Sequence, residues 1–156
     1  MVALASDILV FMDGLVIREV SLADTTDICK LSEELGYPAP TDVMRRRIEA
    51  LARLDDHAAY AAIADKELVG WIHVAVVRHL QVEPRAEIGG LVVGSRARSR
   101  GIGRELVAHA EQWALQQRVS SVIVRSQIAR EAAHRFYLRE GYRQTKTSAV
   151  FTKLLT

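Results

Sequence analysis

The segment Arg98-Ser99-Arg100-Gly101-Ile102-Gly103-Arg104 is the part of the chain best suited to chemistry. Glycine lacks a Cβ, so the backbone at Gly101 and Gly103 can turn with consecutive N–H groups facing outward. A helical pattern follows at once, with Ile102, Leu106, Val107, Ala110, Trp113 and Ala114 on one face. The first N–H groups of a helix have no intrahelical partner and sit at the positive end of its dipole. Together these features make a site for a phosphate or pyrophosphate. Arg96, Arg98, Arg100 and Arg104 strengthen the positive field. The plainer reading is a helix cap with solvated arginines, and the loop alone does not separate the two. A Walker loop needs Gly-Lys-Ser/Thr, whereas Arg104-Glu105 follows Gly103, which argues against nucleoside triphosphate hydrolysis. A dinucleotide fingerprint needs a third small residue where this chain has Leu106.

The elements that must position this loop can be read on either side of it. Leu15 to Val20 alternates like a strand, and Ser21 with Asp24 reads as a capping box. A helix to Leu35 follows, carrying Leu22, Thr26, Cys29 and Leu35 inward and ending at Gly36. After a Tyr37–Pro40 turn, Thr41 and Asp42 open a second helix with Val43, Ile48, Leu51 and Leu54. Ala58–Ala64 and Leu68–Leu80 read as a hairpin around Asp65-Lys66. Pro84 separates this pair from a buried strand, Ala86–Val93, whose Gly89-Gly90 pair marks a bulge or a close backbone approach. Val119–Val124 is another strand, and Arg130–Glu140 a helix with Ala133, Phe136 and Tyr137 inside, stopped by Gly141. Tyr142–Thr145 and Ser148–Leu154 read as two closing strands.

The expected order is β-α-α-β-β-β-α-β-α-β-β. The strand–helix–strand unit from Glu87 to Val124 demands a parallel crossover. The fold class is therefore α/β, a mixed and mostly antiparallel sheet with helices on both faces.

The chain has 156 residues, within the roughly 100–200 of one domain. Residues 1–14 are expected to be an N-terminal extension without the basic start of a signal peptide, and residues 15–156 the domain. Met12, just before the first expected strand, is an alternative start. Hydrophobic residues at 49% and charged residues at 26% exclude a disordered or fibrous chain. A net charge of +2 calls for neither nucleic acid nor a membrane surface, and no stacking aromatics interleave the arginines. No apolar run approaches the ~20 residues of a membrane span. The single cysteine, Cys29, excludes an internal disulfide and fits a reducing cytoplasm. His57, His73, His79 and His109 show no paired ligand spacing, so no metal site is expected.

Arg98 to Gly103 resembles the Gln/Arg-x-x-Gly-x-Gly/Ala loop of the GNAT superfamily of N-acetyltransferases. Ala132-Ala133-His134-Arg135-Phe136-Tyr137-Leu138-Arg139-Glu140-Gly141-Tyr142 resembles the family's second hallmark, Phe-Tyr near a helix end followed by Gly-Phe/Tyr. Val69-Gly70-Trp71 and the strand from Glu87 to Val93 sit where the family's third and fourth strands do. The resemblance spans about residues 15 to 155. Within the family, the tail is similar to small-amine members of the aminoalkylphosphonate and aminoglycoside types.

This resemblance implies an acetyltransferase that moves an acetyl group from acetyl-CoA to a primary amine of a small molecule, by direct attack in a ternary complex. Arg98, Ser99, Arg100, Gly101, Ile102, Gly103 and Arg104 would hold the pyrophosphate. The backbone of Leu91, Val92 and Val93 would bind the pantetheine arm and the thioester oxygen. Arg130, where the family commonly has asparagine, and Ala133 would also meet the coenzyme. Tyr137 would protonate the departing thiolate; the alternative is a core tyrosine beside Phe136. Glu87 would take the amine's proton, directly or through water; the alternative is a carboxylate paired with an arginine such as Arg85. Other members place a glutamate three residues later, where this chain has Gly90. The departures at Gly90 and Arg130 keep a second class open, a non-catalytic acyl-CoA sensor or protein-interaction module. Sheet-edge homodimers are common in the resembling family.

Overall fold

The computed structural model describes residues 9–11 and 14–156. Two compact units divide the chain, Met1–Arg125 and Ser126–Thr156. In the first, β1 (Leu9–Phe11), β2 (Leu15–Glu19), β3 (His57–Ala64), β4 (Glu67–His79), β5 (Val82–Val93) and β6 (Val122–Val124) form one sheet in that spatial order. Every pairing is antiparallel except β5 with β6, which is parallel. The crossover between those two is α3 (Ile102–Gln116), as the strand–helix–strand pattern requires. The helices α1 (Thr25–Leu35) and α2 (Thr41–Leu51) lie between β2 and β3 in the chain. The second unit contains α4 (Glu131–Arg139) and the residues after it.

The hairpin between β3 and β4 closes through Asp65 and Lys66, both at positive φ, 50° and 67°. That is the geometry in which a two-residue turn matches the twist of its strands. A register shift follows on β4, where Val69 is the extra residue between Leu68, paired with Ile63, and Gly70, paired with Ala62. The shift turns both Leu68 and Trp71 to the face covered by Ile28, Met44 and Ile48 of α1 and α2. Gly70 points the other way, toward α3. A Cβ there would stand 2.9 Å from the Val92 carbonyl oxygen and 3.2 Å from a Leu106 methyl. Ile72, Val74, Leu106 and Val107 are among the most buried side chains.

At the start of α1, Arg18 and Asp24 hold the turn together. The Asp24 carboxylate accepts both guanidinium nitrogens at 2.7 and 2.8 Å and the Ser21 amide at 2.8 Å. Gly36 ends α1 in the left-handed region, at φ 95°.

Several expectations need correction. The inward side of α1 is Thr25, Ile28, Leu31 and Ser32, one residue round from the side expected, and Leu22 is exposed. Leu54 lies beyond α2 and is exposed. Pro84 does not end the hairpin, since β5 runs through it to Val93 with a register irregularity between the pairs Val77–Arg85 and His79–Val82. Without an N–H, Pro84 cannot donate to the ladder, and the irregularity absorbs the loss. The last strand of the crossover is shorter than expected, Val122–Val124. The closing strands expected at 142–145 and 148–154 do not form. A strand needs a partner edge, and here Val150, Phe151, Leu154 and Leu155 stay 86–93% exposed. Within the segment expected as an extension, Leu9–Phe11 pairs with β2, and Met12 lies outside the described residues.

Candidate active site

The site begins where β5 loses its regular ladder. His73 pairs with Gly90 but Val74 pairs with Ile88, so Gly89 is an extra residue. The bulge fits the rings that lie over it. A Cβ at Gly89 would stand 2.7 Å from His73 Nδ1, and one at Gly90 would stand 2.8 Å from the Trp71 ring. Any side chain at Gly90, a glutamate included, would strike Trp71, which gives Gly90 a packing reason. Parallel pairing with β6 covers only Ala86, Glu87 and Ile88. Beyond it, no strand among the described residues pairs with the outer side of Gly89–Val93. The backbone there is suited to accept an extended ligand arm as an added strand.

After β5 the chain enters the glycine loop. Ser99 at φ 64° and Gly101 at φ 78° both take left-handed backbone. Gly101 is the N-cap of α3, and the first i to i−4 bond of the helix is Glu105 N–H to its carbonyl, 3.1 Å. The amides of Ile102 and Gly103 come before that bond and have no intrahelical acceptor. No heavy atom lies within 4 Å of a Cβ built at Gly101. Space is therefore open beside Gly101, at the end of α3 where the unpaired amides and the positive end of the helix dipole lie. Arg98 donates from Nε to the Val93 carbonyl at 3.2 Å, tying the loop back to β5. Arg100 lies 3.9 Å from Asp65 and remains half exposed. Ile102 is buried and anchors the first turn of α3.

Glu87 pairs across the sheet with Ala75 and Ile123 and is partly buried. Its carboxylate accepts from Arg125 Nε at 3.0 Å, so its ion-pair partner is Arg125, not Arg85. The sequence placed no weight on Arg125; its position one residue past β6, beside Glu87, becomes visible only from the parallel register.

In the second unit, Tyr137 is fixed by the way α4 stops. Gly141 at φ 90° follows the helix, its N–H bonding the Leu138 carbonyl at 3.2 Å, and Tyr142 N–H bonds the Tyr137 carbonyl at 3.0 Å. These two bonds, with the Tyr142 ring 5.6 Å from that of Tyr137, form a Schellman stop. Phe136 meets the Tyr137 ring edge-on at 5.2 Å. The Phe-Tyr and Gly-Tyr pairs thus form one device, in which the helix stop clamps the phenol. Burial pushes the Tyr137 pKa above its usual value against the opposing pull of Arg130, so the phenol keeps its proton at neutral pH. Arg130 is the N-cap of α4 and is exposed, while Ala133 is half-buried.

Sequence reading did not pair His57 with His73. Their rings stack within 11° of parallel with centroids 5.2 Å apart, and His57 Nδ1 lies 2.9 Å from His73 Nε2. No group of three metal-binding side chains occurs among the described residues. No helix among them is long and apolar enough to cross a membrane. Cys29 is a half-buried thiol packed beside the α1–α2 cluster.

Residues 25–142 match the model of the acetyltransferase (GNAT) family. The chain is 36% identical over 146 residues to the aminoalkylphosphonate N-acetyltransferase of Salmonella typhimurium, covering 89% of this chain and 90% of that one. It is 27% identical over 121 residues to the aminoglycoside N(6')-acetyltransferase type 1 of Serratia marcescens, covering 75% and 83%. Its fold superposes with a TM-score of 0.80 on AAC(6')-Iy in complex with a bisubstrate analog, at 18% identity and over 90% and 99% of the two chains. The family model over residues 25–142 and the 36% identical relative place it: this chain is a member of the GNAT family of acetyltransferases.

Proposed function

We propose that this protein is an N-acetyltransferase that moves the acetyl group of acetyl-CoA to a primary amine of a small molecule, with both substrates bound together and no acyl-enzyme. The observation that carries this reading is the loop before α3, where left-handed Gly101 caps the helix with open space beside its Cα and the Ile102 and Gly103 amides have no intrahelical acceptor. Arg98 to Arg104 hold the pyrophosphate, with Arg130 and Ala133 as further coenzyme contacts. The outer edge of Leu91–Val93 binds the pantetheine arm, and an amide there stabilises charge on the thioester oxygen. Tyr137, whose phenol stays protonated, gives its proton to the departing thiolate. Glu87 draws the cationic amine to the site in competition with Arg125. The two curated relatives act on an aminoalkylphosphonate and an aminoglycoside, which supports a small polar amine as acceptor. Residues 15–156 form the catalytic domain. The exposed apolar side chains at 150–155 support a homodimer, and the unpaired Cys29 thiol supports a cytoplasmic setting.

The test is release of free thiol on mixing the protein with acetyl-CoA and a panel of aminoalkylphosphonates, aminoglycosides, simple amines and peptides. Turnover is expected with a small amine and should fall about 100-fold in kcat for Tyr137→Phe, within the range for loss of a general acid. Coenzyme binding by calorimetry with no turnover across the panel would replace the enzyme reading with the sensor.

A further inference from the structure

The proposed transfer needs an outlet for a proton. The acceptor arrives as an ammonium ion, its amide product keeps one N–H, and the thiol takes another proton, so one must leave. Glu87 is engaged by Arg125 at 3.0 Å. The face of the sheet beneath α1 and α2 holds a second candidate. We propose that His73 is the proton acceptor for the substrate amine and that His57 relays this proton to solvent, a role that rests on the acetyltransferase reading above.

The geometry supports each step. His73 lies on the same face of β4 as Trp71, two residues away, and the bulge at Gly89 leaves its Nδ1 facing β5. That strand is the one assigned to the thioester. The other nitrogen, Nε2, is 2.9 Å from His57 Nδ1. His57 Nε2 in turn is 3.7 Å from Asp56 Oδ1, and Asp56 is 43% exposed, so the path ends in water. When His73 Nδ1 takes a proton from the ammonium, its Nε2–H passes to His57 Nδ1, and the His57 Nε2–H leaves at the solvent edge. The freed amine attacks the thioester carbon, the C–S bond breaks, and the second amine proton ends on sulfur. Both imidazoles finish neutral after the tautomers reset through water.

The surroundings suit a neutral base. The charged or titratable groups on the strands beside His73 are His57 of β3 with Asp56 just before it, Arg78 of β4 beside Asp56, Arg85 and Glu87 of β5 on the same face, and Arg125 just past β6 beside Glu87. The helices bring apolar Ile28, Met44 and Ile48 to this face. Burial first, and then the His57 ring, hold the His73 pKa below its usual value, so the ring is unprotonated near neutrality.

The experiment compares kcat and kcat/KM against pH for the wild type, His73→Gln, His57→Gln and Gly89→Ala with the amine that turns over. For His73→Gln, kcat should fall about 100-fold or more while KM for acetyl-CoA holds, and the acid limb due to a histidine should vanish. His57→Gln should slow transfer less. Gly89→Ala keeps both histidines but puts a methyl 2.7 Å from Nδ1, so it should reproduce the loss in milder form; it also decides the matter if His73→Gln does not fold. If the wild type turns over but His73→Gln or Gly89→Ala keeps wild-type kcat and pH profile, the relay is wrong and the acetyltransferase reading stands. If the wild type turns over no amine, both fall together.

Discussion

Replacing Gly101 by alanine separates folding from coenzyme binding. Gly101 holds φ 78° and ψ 2°, and a Cβ there meets nothing within 4 Å. The cost to the fold is therefore conformational, not steric, about 1–2 kcal/mol for an L-residue in left-handed backbone. For a chain of this size that corresponds to a drop in Tm of about 2–8 °C. If the loop relaxes instead, the Ile102 and Gly103 amides shift from their present positions. Losing two hydrogen bonds to a charged diphosphate, at about 1.5–3 kcal/mol each, weakens binding by at least about 3 kcal/mol, or roughly 100-fold in Kd. Calorimetry with coenzyme A should read this loss. Pantetheine, which lacks the diphosphate, should bind wild type and variant alike, because β5 is untouched. Equal affinity of both proteins for coenzyme A together with an unchanged Tm would refute the reasoning, since the alanine must either strain the loop or move it. So would an equal loss for pantetheine, since the damage would then lie elsewhere.

Gly70→Ala tests the other support of the site: its methyl would stand 2.9 Å from the Val92 carbonyl, so overpacking should cost about 1–3 kcal/mol and raise KM for acetyl-CoA, and Leu106→Val should restore little, since the backbone contact remains. Asp24→Asn removes the carboxylate between Arg18 and Ser21; breaking a buried pair costs about 3–5 kcal/mol, but Arg18 is a third exposed, so about 2 kcal/mol and a fall in Tm of about 4–8 °C are expected. Burial tends to raise the Asp24 pKa, but the Arg18 and Ser21 hydrogen bonds overcome it and hold it below the usual value. Its contribution is therefore complete above the unfolded pKa of about 3.9 and lost as pH falls through the lower native pKa, so melting curves of wild type and Asn variant should converge only in acid. Deleting residues 146–156 should leave the melting temperature nearly unchanged but convert the proposed dimer to a monomer in sedimentation, because Phe151 and Leu154 are exposed within the chain itself; a dimer that survives would place the interface elsewhere.

What the residue order made legible follows from how local each signal is. The glycine loop, the helix behind it and the parallel crossover are encoded within about 40 residues, where periodicity and turn chemistry act on neighbours. The Gly141 stop and the tyrosine before it are local too, so the expected α4 and the observed one agree within one residue at each end. The closing strands failed for the opposite reason. Alternation shows that a segment tolerates an extended backbone, but whether it becomes a strand depends on an edge far away in sequence. The period alone does not fix the inward face of α1, because Thr26 and Cys29 fit it about as well as Ile28 and Leu31, and packing decides between them.

The histidine pair shows this limit most sharply. The tight turn at Asp65-Lys66 sets Ala64 opposite Glu67, and an unbroken ladder from there would place His57 opposite Val74, on the far face of the sheet from His73. The extra residue at Val69 moves the partner of His57 to Ala75, and both imidazoles come to one face. One unpaired residue therefore decides whether the two rings ever meet, and nothing in the run Glu67-Leu68-Val69-Gly70 announces where it falls. A second unpaired residue, Gly89, then leaves His73 the space to face β5. The two bulges act on the same ring from neighbouring strands, the first choosing its face and the second clearing its path. Such a pair of departures from a regular ladder is expected where a sheet positions chemistry as well as a core, and removing either should disable the relay without disturbing the glycine loop.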